Sequence, residues 1–202
     1  MPRSEPTKII QSEIPRILSL LKANKNREAI DHSLILNEKF PASVPVIQLL
    51  SNAYISIDDY KSAIEQYSKL LINDAHNPIT LKNLGAMYLK NDQPQNAIII
   101  HKKILEFLPN DAETHYKIGN AYFEKSDLTL AINYYKSALK LNPNFFEALY
   151  NLGNTYLTLK NFNKAVDLFN KCLIINSNQT GLLGNLGIAL LETGKVERAL
   201  IR

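Results

Sequence analysis

A chain of 202 residues with 23 basic and 19 acidic side chains carries a formal charge of only +4, and no run of like charge appears in it, which argues against a polyanion as its partner. The single Cys172 excludes an internal disulfide, and no apolar run approaches the length of a membrane span. The N-terminal MPRSEPTK lacks the apolar segment of a secretory signal, so the expectation is a soluble protein of the reducing cytoplasm with no membrane partner.

Spacing organises the rest. Gly85, Gly119, Gly153 and Gly187 stand 34 positions apart, as do Tyr54, Tyr88, Tyr122 and Tyr156, and as do Ala29, Ala63, Ala97, Ala131, Ala165 and Ala199. A fixed period of twenty to fifty residues is the signature of a solenoid, in which each unit buries its core against its neighbours.

In chain order, residues 1–8 are polar, with Pro2 and Pro6, and are expected to be disordered. Residues 9–43 form a degenerate capping unit. Leu20, Ala29 and Pro41 keep the register, while Ile17 replaces the glycine and Ser33 the second aromatic. An atypical unit is what a solenoid needs at a water-facing end. Pro15 lacks an amide hydrogen and clashes with the preceding turn, which places the start of the first helix near it. The second unit, 44–77, opens with Ser43 as a capping hydroxyl and Pro45 in the first turn, and Asp58 and Asp59 start its second helix. The third, 78–111, turns at Asn91 and Asp92, restarts at Pro94 and is stopped by Pro109. The fourth, 112–145, turns at Ser126 and Asp127 and stops at Pro143. The fifth, 146–179, turns at Lys160 and Asn161, with Ser177 in place of the stopping proline. The sixth, 180–202, is truncated: Gly181, Gly184 and Gly187 lie in its first helix, Gly194 supplies a left-handed cap, and Arg202 falls within the second helix. A solenoid stopping there exposes an apolar face. Self-association through that open end is one expectation, and a chain continuing beyond Arg202 is another.

A glycine inside a helix costs about 1 kcal/mol relative to alanine. Its recurrence predicts close backbone approach between Gly119 and Ala131, with Tyr122 and Tyr135 filling the volume between helices. Cys172 stands where the preceding unit has Ala138 and reads as a small, inert core residue.

This register of Gly, Tyr, Ala, second aromatic and Pro resembles the tetratricopeptide repeat from about Ser43 onward. The resemblance implies an all-α fold, a right-handed superhelix (α-solenoid) of antiparallel helix pairs, whose first helices, the A helices, line a concave surface.

No catalytic grouping stands out. His32, His76, His101 and His115 have no partner at a metal-ligand spacing, and the glycines are spread one per helix rather than gathered in a phosphate loop. The expectation is no enzyme within these residues, no cofactor and no metal.

Asparagine is more informative. Counting from the start of each unit, the sixth position holds Asn83, Asn151 and Asn185, interrupted by Lys117, and the ninth holds Asn52, Asn120 and Asn154. Positions three apart share a helix face, so these residues form adjacent columns along the A helices. An amide offers donors and an acceptor to the backbone of an extended peptide. Lys82, Tyr116 and Tyr150 fall on the same side and are expected to set preference. Changing Asn83, Asn151 and Asn185 to Ala is expected to weaken binding with little loss of thermal stability. The arrangement resembles the repeat arms of O-linked N-acetylglucosamine transferases, where such a column holds the acceptor polypeptide. The resemblance implies a protein-interaction scaffold for an extended polypeptide, or the recruiting arm of a larger glycosyltransferase, sulfotransferase or oxygenase. The carboxylate clamp of chaperone-binding tetratricopeptide domains would place its groups at Gln48, Asn52, Asn83, Glu113 and Lys117, where Gln48 lacks the cation and Glu113 repels the carboxylate. Glu113 and Glu147 on the same side also argue against nucleic acid.

Overall fold

The computed structural model describes residues 5–41, 43–176 and 180–193. Among these, eleven helices and no strand are found: α1 (Glu5–Lys22), α2 (Asn26–Lys39), α3 (Val44–Ile55), α4 (Tyr60–Asn73), α5 (Pro78–Lys90), α6 (Pro94–Phe107), α7 (Ala112–Glu124), α8 (Leu128–Leu141), α9 (Phe146–Thr158), α10 (Phe162–Ile175) and α11 (Thr180–Glu192). The chain divides into two compact units, Met1–Ile100 and His101–Arg202. In the first, successive helices from α1 to α5 pack in turn and α1 also touches α3. In the second, α7 to α11 do the same, with α7 beside α9 and α9 beside α11. Each unit is therefore an array of antiparallel helix pairs with the A helices in one layer.

The turn inside each pair repeats in backbone as well as in length. Asn24, Asp58, Asp92, Ser126 and Lys160, all 34 apart, adopt positive φ between 52° and 60°. The residue after each donates its amide five positions back, to the carbonyl of Leu20, Tyr54, Tyr88, Tyr122 and Tyr156. This 6→1 bond with a left-handed residue is the Schellman stop, which reverses the chain and satisfies orphaned carbonyls. The next helix starts at once: the carboxylates of Asp59 and Asp127 accept the amides of Ser62 and Leu130 as N-caps.

The alanine column shows why the period is kept. Ala29, Ala63, Ala97, Ala131 and Ala165 are all fully buried. At Gly119 and Gly153 the glycine makes room for a ring of the paired helix, whereas among the described residues a Cβ on Gly187 would meet nothing within 4 Å. A Cβ on Gly119 would lie 2.6 Å from the ring of Tyr135, and one on Gly153 would lie 2.5 Å from the ring of Phe169. In the first unit Ile17 and Ser33, both fully buried, hold the equivalent positions with large and small exchanged.

Three local expectations change. α1 begins at Glu5, inside the segment expected to be disordered, and Pro15 lies within the helix rather than near its start. The apolar spacing of Ile10, Ile14, Ile17 and Leu21 continues across the proline. Burial of Ile10 and Ile17 against Ala29 and Leu36 offsets the bond Pro15 cannot make. Ser43 occupies the N-cap position of α3, but its hydroxyl makes no capping bond. Ser177, Gly194 and the second helix expected before Arg202 lie outside the described residues.

Candidate functional site

On α7, residues 113, 117, 120 and 124 follow one another by three or four positions and so form a single stripe; on α9 the stripe is 147, 151, 154 and 158. Each stripe carries the predicted asparagines. Asn120 Oδ1 accepts from the Tyr135 hydroxyl at 2.8 Å and from Asn151 Nδ2 at 2.9 Å. Asn151 Nδ2 also donates to the Tyr116 hydroxyl at 3.3 Å. One period later, Asn185 Nδ2 donates to Asn154 Oδ1 at 2.7 Å and to the Tyr150 hydroxyl at 3.0 Å. The same three repeat positions thus clasp α9 to α7 and α11 to α9. Burial pushes the Tyr135 phenol well above its ordinary value, so it stays protonated and keeps donating to Asn120.

These clasps orient the ninth-position amides. The oxygens of Asn120 and Asn154 are taken up inside the fold, which leaves the Nδ2 end of each to donate. Both amides line a cavity of about 200 Å³, together with Phe123, Glu124, Tyr135 and Asn151.

The remaining predicted residues are distributed as follows. Asn83 bonds the Tyr67 phenol, which burial raises and this contact lowers. Asn52 is exposed on α3, and Lys82 is half-buried on α5. The Lys117 ammonium lies 5.5 Å from the centre of the Tyr116 ring. Tyr116 and Tyr150, expected to set preference, are partners of the clasps, with rings packed on Tyr135 and Phe145 and on Phe146 and Phe169 respectively. Asn83, Asn151 and Asn185, whose truncation was expected to cost little thermal stability, are bonded within the fold. Each such bond is worth about 0.5–1.5 kcal/mol.

Sequence reasoning passed over Phe123 and Glu124. The available signal was a break in the period, since Glu124 stands where the flanking units have Lys90 and Thr158. Among the described residues no group of three or more His, Cys, Asp or Glu is placed to hold a metal ion, and no helix is long and apolar enough to cross a membrane.

Comparisons with known proteins agree with this architecture. Residues 119–160 match a family model described as "TPR repeat", and residues 146–179 match "Tetratricopeptide repeat". No curated protein sequence matches the chain. Among solved structures, MamA is 27% identical with a TM-score of 0.68, over 77% of this chain and 85% of its own. YrrB, described as a TPR protein with an unusual peptide-binding site, is 22% identical with a TM-score of 0.66, over 95% of this chain and 98% of its own. PilW, described as a type IV pilus biogenesis factor, is 16% identical with a TM-score of 0.78, over 95% of this chain and 89% of its own. YrrB and PilW share the fold. Over residues 119–179 the chain carries tetratricopeptide repeats, and the described residues as a whole form an all-α array of helix pairs.

Proposed function

We propose that this chain is a protein-interaction scaffold that holds an extended polypeptide against the A-helix face, the concave side of a tetratricopeptide solenoid. One observation carries the reading: Asn120 and Asn154, 34 positions apart on neighbouring A helices, each have their oxygen engaged from a neighbouring helix, by two bonds at Asn120 and one at Asn154, which turns the Nδ2 donors outward. Packed helices lie about 8–10 Å apart, which matches about three residues of extended chain. Donors on neighbouring A helices can therefore reach backbone carbonyls about three residues apart without demanding particular side chains. The peptide-binding site for which YrrB is described lends support from a neighbour of the same fold. In this reading Asn120 and Asn154 grip the chain, Asn151, Asn185, Tyr116 and Tyr150 hold them in place, and Lys117 stands beside them on α7. Within the first compact unit, Asn52, Lys82 and Asn83 occupy the corresponding A-helix face.

The test is Asn120→Asp with Asn154→Asp, which keeps each accepting oxygen and removes the donors. The probe is the uncharged peptide acetyl-Gly-Ser-Gly-Ser-X-Ser-Gly-Ser-Gly-amide with norleucine at X. Two lost bonds should weaken its binding about tenfold or more while the melting temperature changes little. Unchanged affinity in the double variant would remove the donors from the function.

A further inference from the structure

The chain as a whole is basic, yet the A-helix stripe of the second compact unit is acidic. Along α7, α9 and α11 the positions at 113, 124, 147 and 192 are glutamates, all exposed, against the single half-buried cation Lys117. Glu124 alone among these lines the 200 Å³ cavity, where it is the only formally charged residue. The walls are mixed. Phe123 and the Tyr135 ring give an apolar surface, Asn120 and Asn154 offer amide donors, and Asn151 completes the rim.

Each part of this lining asks for something different from an occupant. An aromatic wall suits a methylene stem, because long basic side chains bury their carbon chain and keep the charged head at a polar edge. A carboxylate at that edge attracts a cation and repels a client carboxylate. The flanking amides turn their Nδ2 donors to this side, which suits the carbonyls near the inserted residue. An aliphatic side chain would fill the space but bring no positive charge to the carboxylate of Glu124.

We propose that this cavity receives a lysine or arginine side chain of the bound polypeptide, with its stem against Phe123 and its head at Glu124. The inference rests on the scaffold reading above and adds to it the class of residue selected. Glu124 is thereby a specificity-determining residue, and the clients of this face are basic segments.

The experiment is an affinity series with the same host peptide carrying lysine, norleucine or glutamate at X, measured on the unmodified protein and on Glu124→Gln. The expected order is lysine, norleucine, glutamate, with lysine ahead of norleucine by about two- to fivefold, as befits a partly exposed ion pair. That advantage should vanish in Glu124→Gln and shrink with added salt. Equal binding of lysine and norleucine peptides, or a lysine advantage that survives Glu124→Gln, overturns this inference and leaves the backbone-gripping role of Asn120 and Asn154 standing. Failure of all three peptides to bind overturns the scaffold reading and this inference together.

Discussion

Gly119 faces two opposing tendencies. Alanine in a helix interior is favoured over glycine by about 1 kcal/mol, yet a Cβ here would meet the Tyr135 ring at 2.6 Å. The ring cannot swing aside cheaply, because its hydroxyl is tied to Asn120 at 2.8 Å. The clash should win: Gly119→Ala is expected to lose about 1–3 kcal/mol in chemical denaturation, and a gain would show that the ring is free to move. Asn151→Ala removes the amide bridging Asn120 and Tyr116 and should cost about 0.5–1.5 kcal/mol by the same measurement. Cys172 is fully buried, and burial pushes its thiol up to about 11. The reactive thiolate is therefore scarce at neutral pH. Alkylation should be slow in the native protein and become fast only in denaturant, and rapid native labelling would contradict its core placement.

At the scale of the element, the turn between paired helices shows what can and cannot be read from letters. The left-handed position holds Asn24, Asp58, Asp92, Ser126 and Lys160. Asn and Asp tolerate that conformation through local hydrogen bonds, while Ser and Lys occupy it at a cost. No single residue type marks the position: the turns at Asp92, Ser126 and Lys160 were legible from the sequence, but the left-handed backbone that they share with Asn24 and Asp58 was not. The alanine and glycine columns were legible because sterics there admits only a small residue. Even so, the contact of Gly119 with the Tyr135 ring was not read, since nothing local says that a ring sixteen positions away takes that space. The start of α1 was misread for a related reason: Pro15 disfavours a helix locally, and the burial of Ile10 and Ile17 that overrides it is tertiary. Lys160→Gly should relieve strain at the turn and stabilise the protein by about 0.5–1 kcal/mol, more than Asp92→Gly does. Loss of stability on either change would mean the turn gains more from its side chain than from backbone freedom.

At the scale of the whole molecule, the repeat makes stability a sum of nearest-neighbour terms, and the clasps put part of that sum on the face proposed to bind. The asparagine columns were visible in the sequence because residues three apart share a helix face. The direction of each amide was not, since it is set by donors from other helices: Tyr135 on α8 and Asn151 on α9 for Asn120, and Asn185 on α11 for Asn154. That division between clasping and gripping asparagines is the centre of the account. The most direct measurement is a ¹⁵N spectrum of the side-chain amides during titration with the norleucine host peptide. The amide pairs of Asn120 and Asn154 should shift strongly and saturate together, while those of Asn151 and Asn185, already bonded within the fold, should move little. Shifts confined to Asn151 and Asn185, or spread evenly over asparagines of the turns, would contradict it.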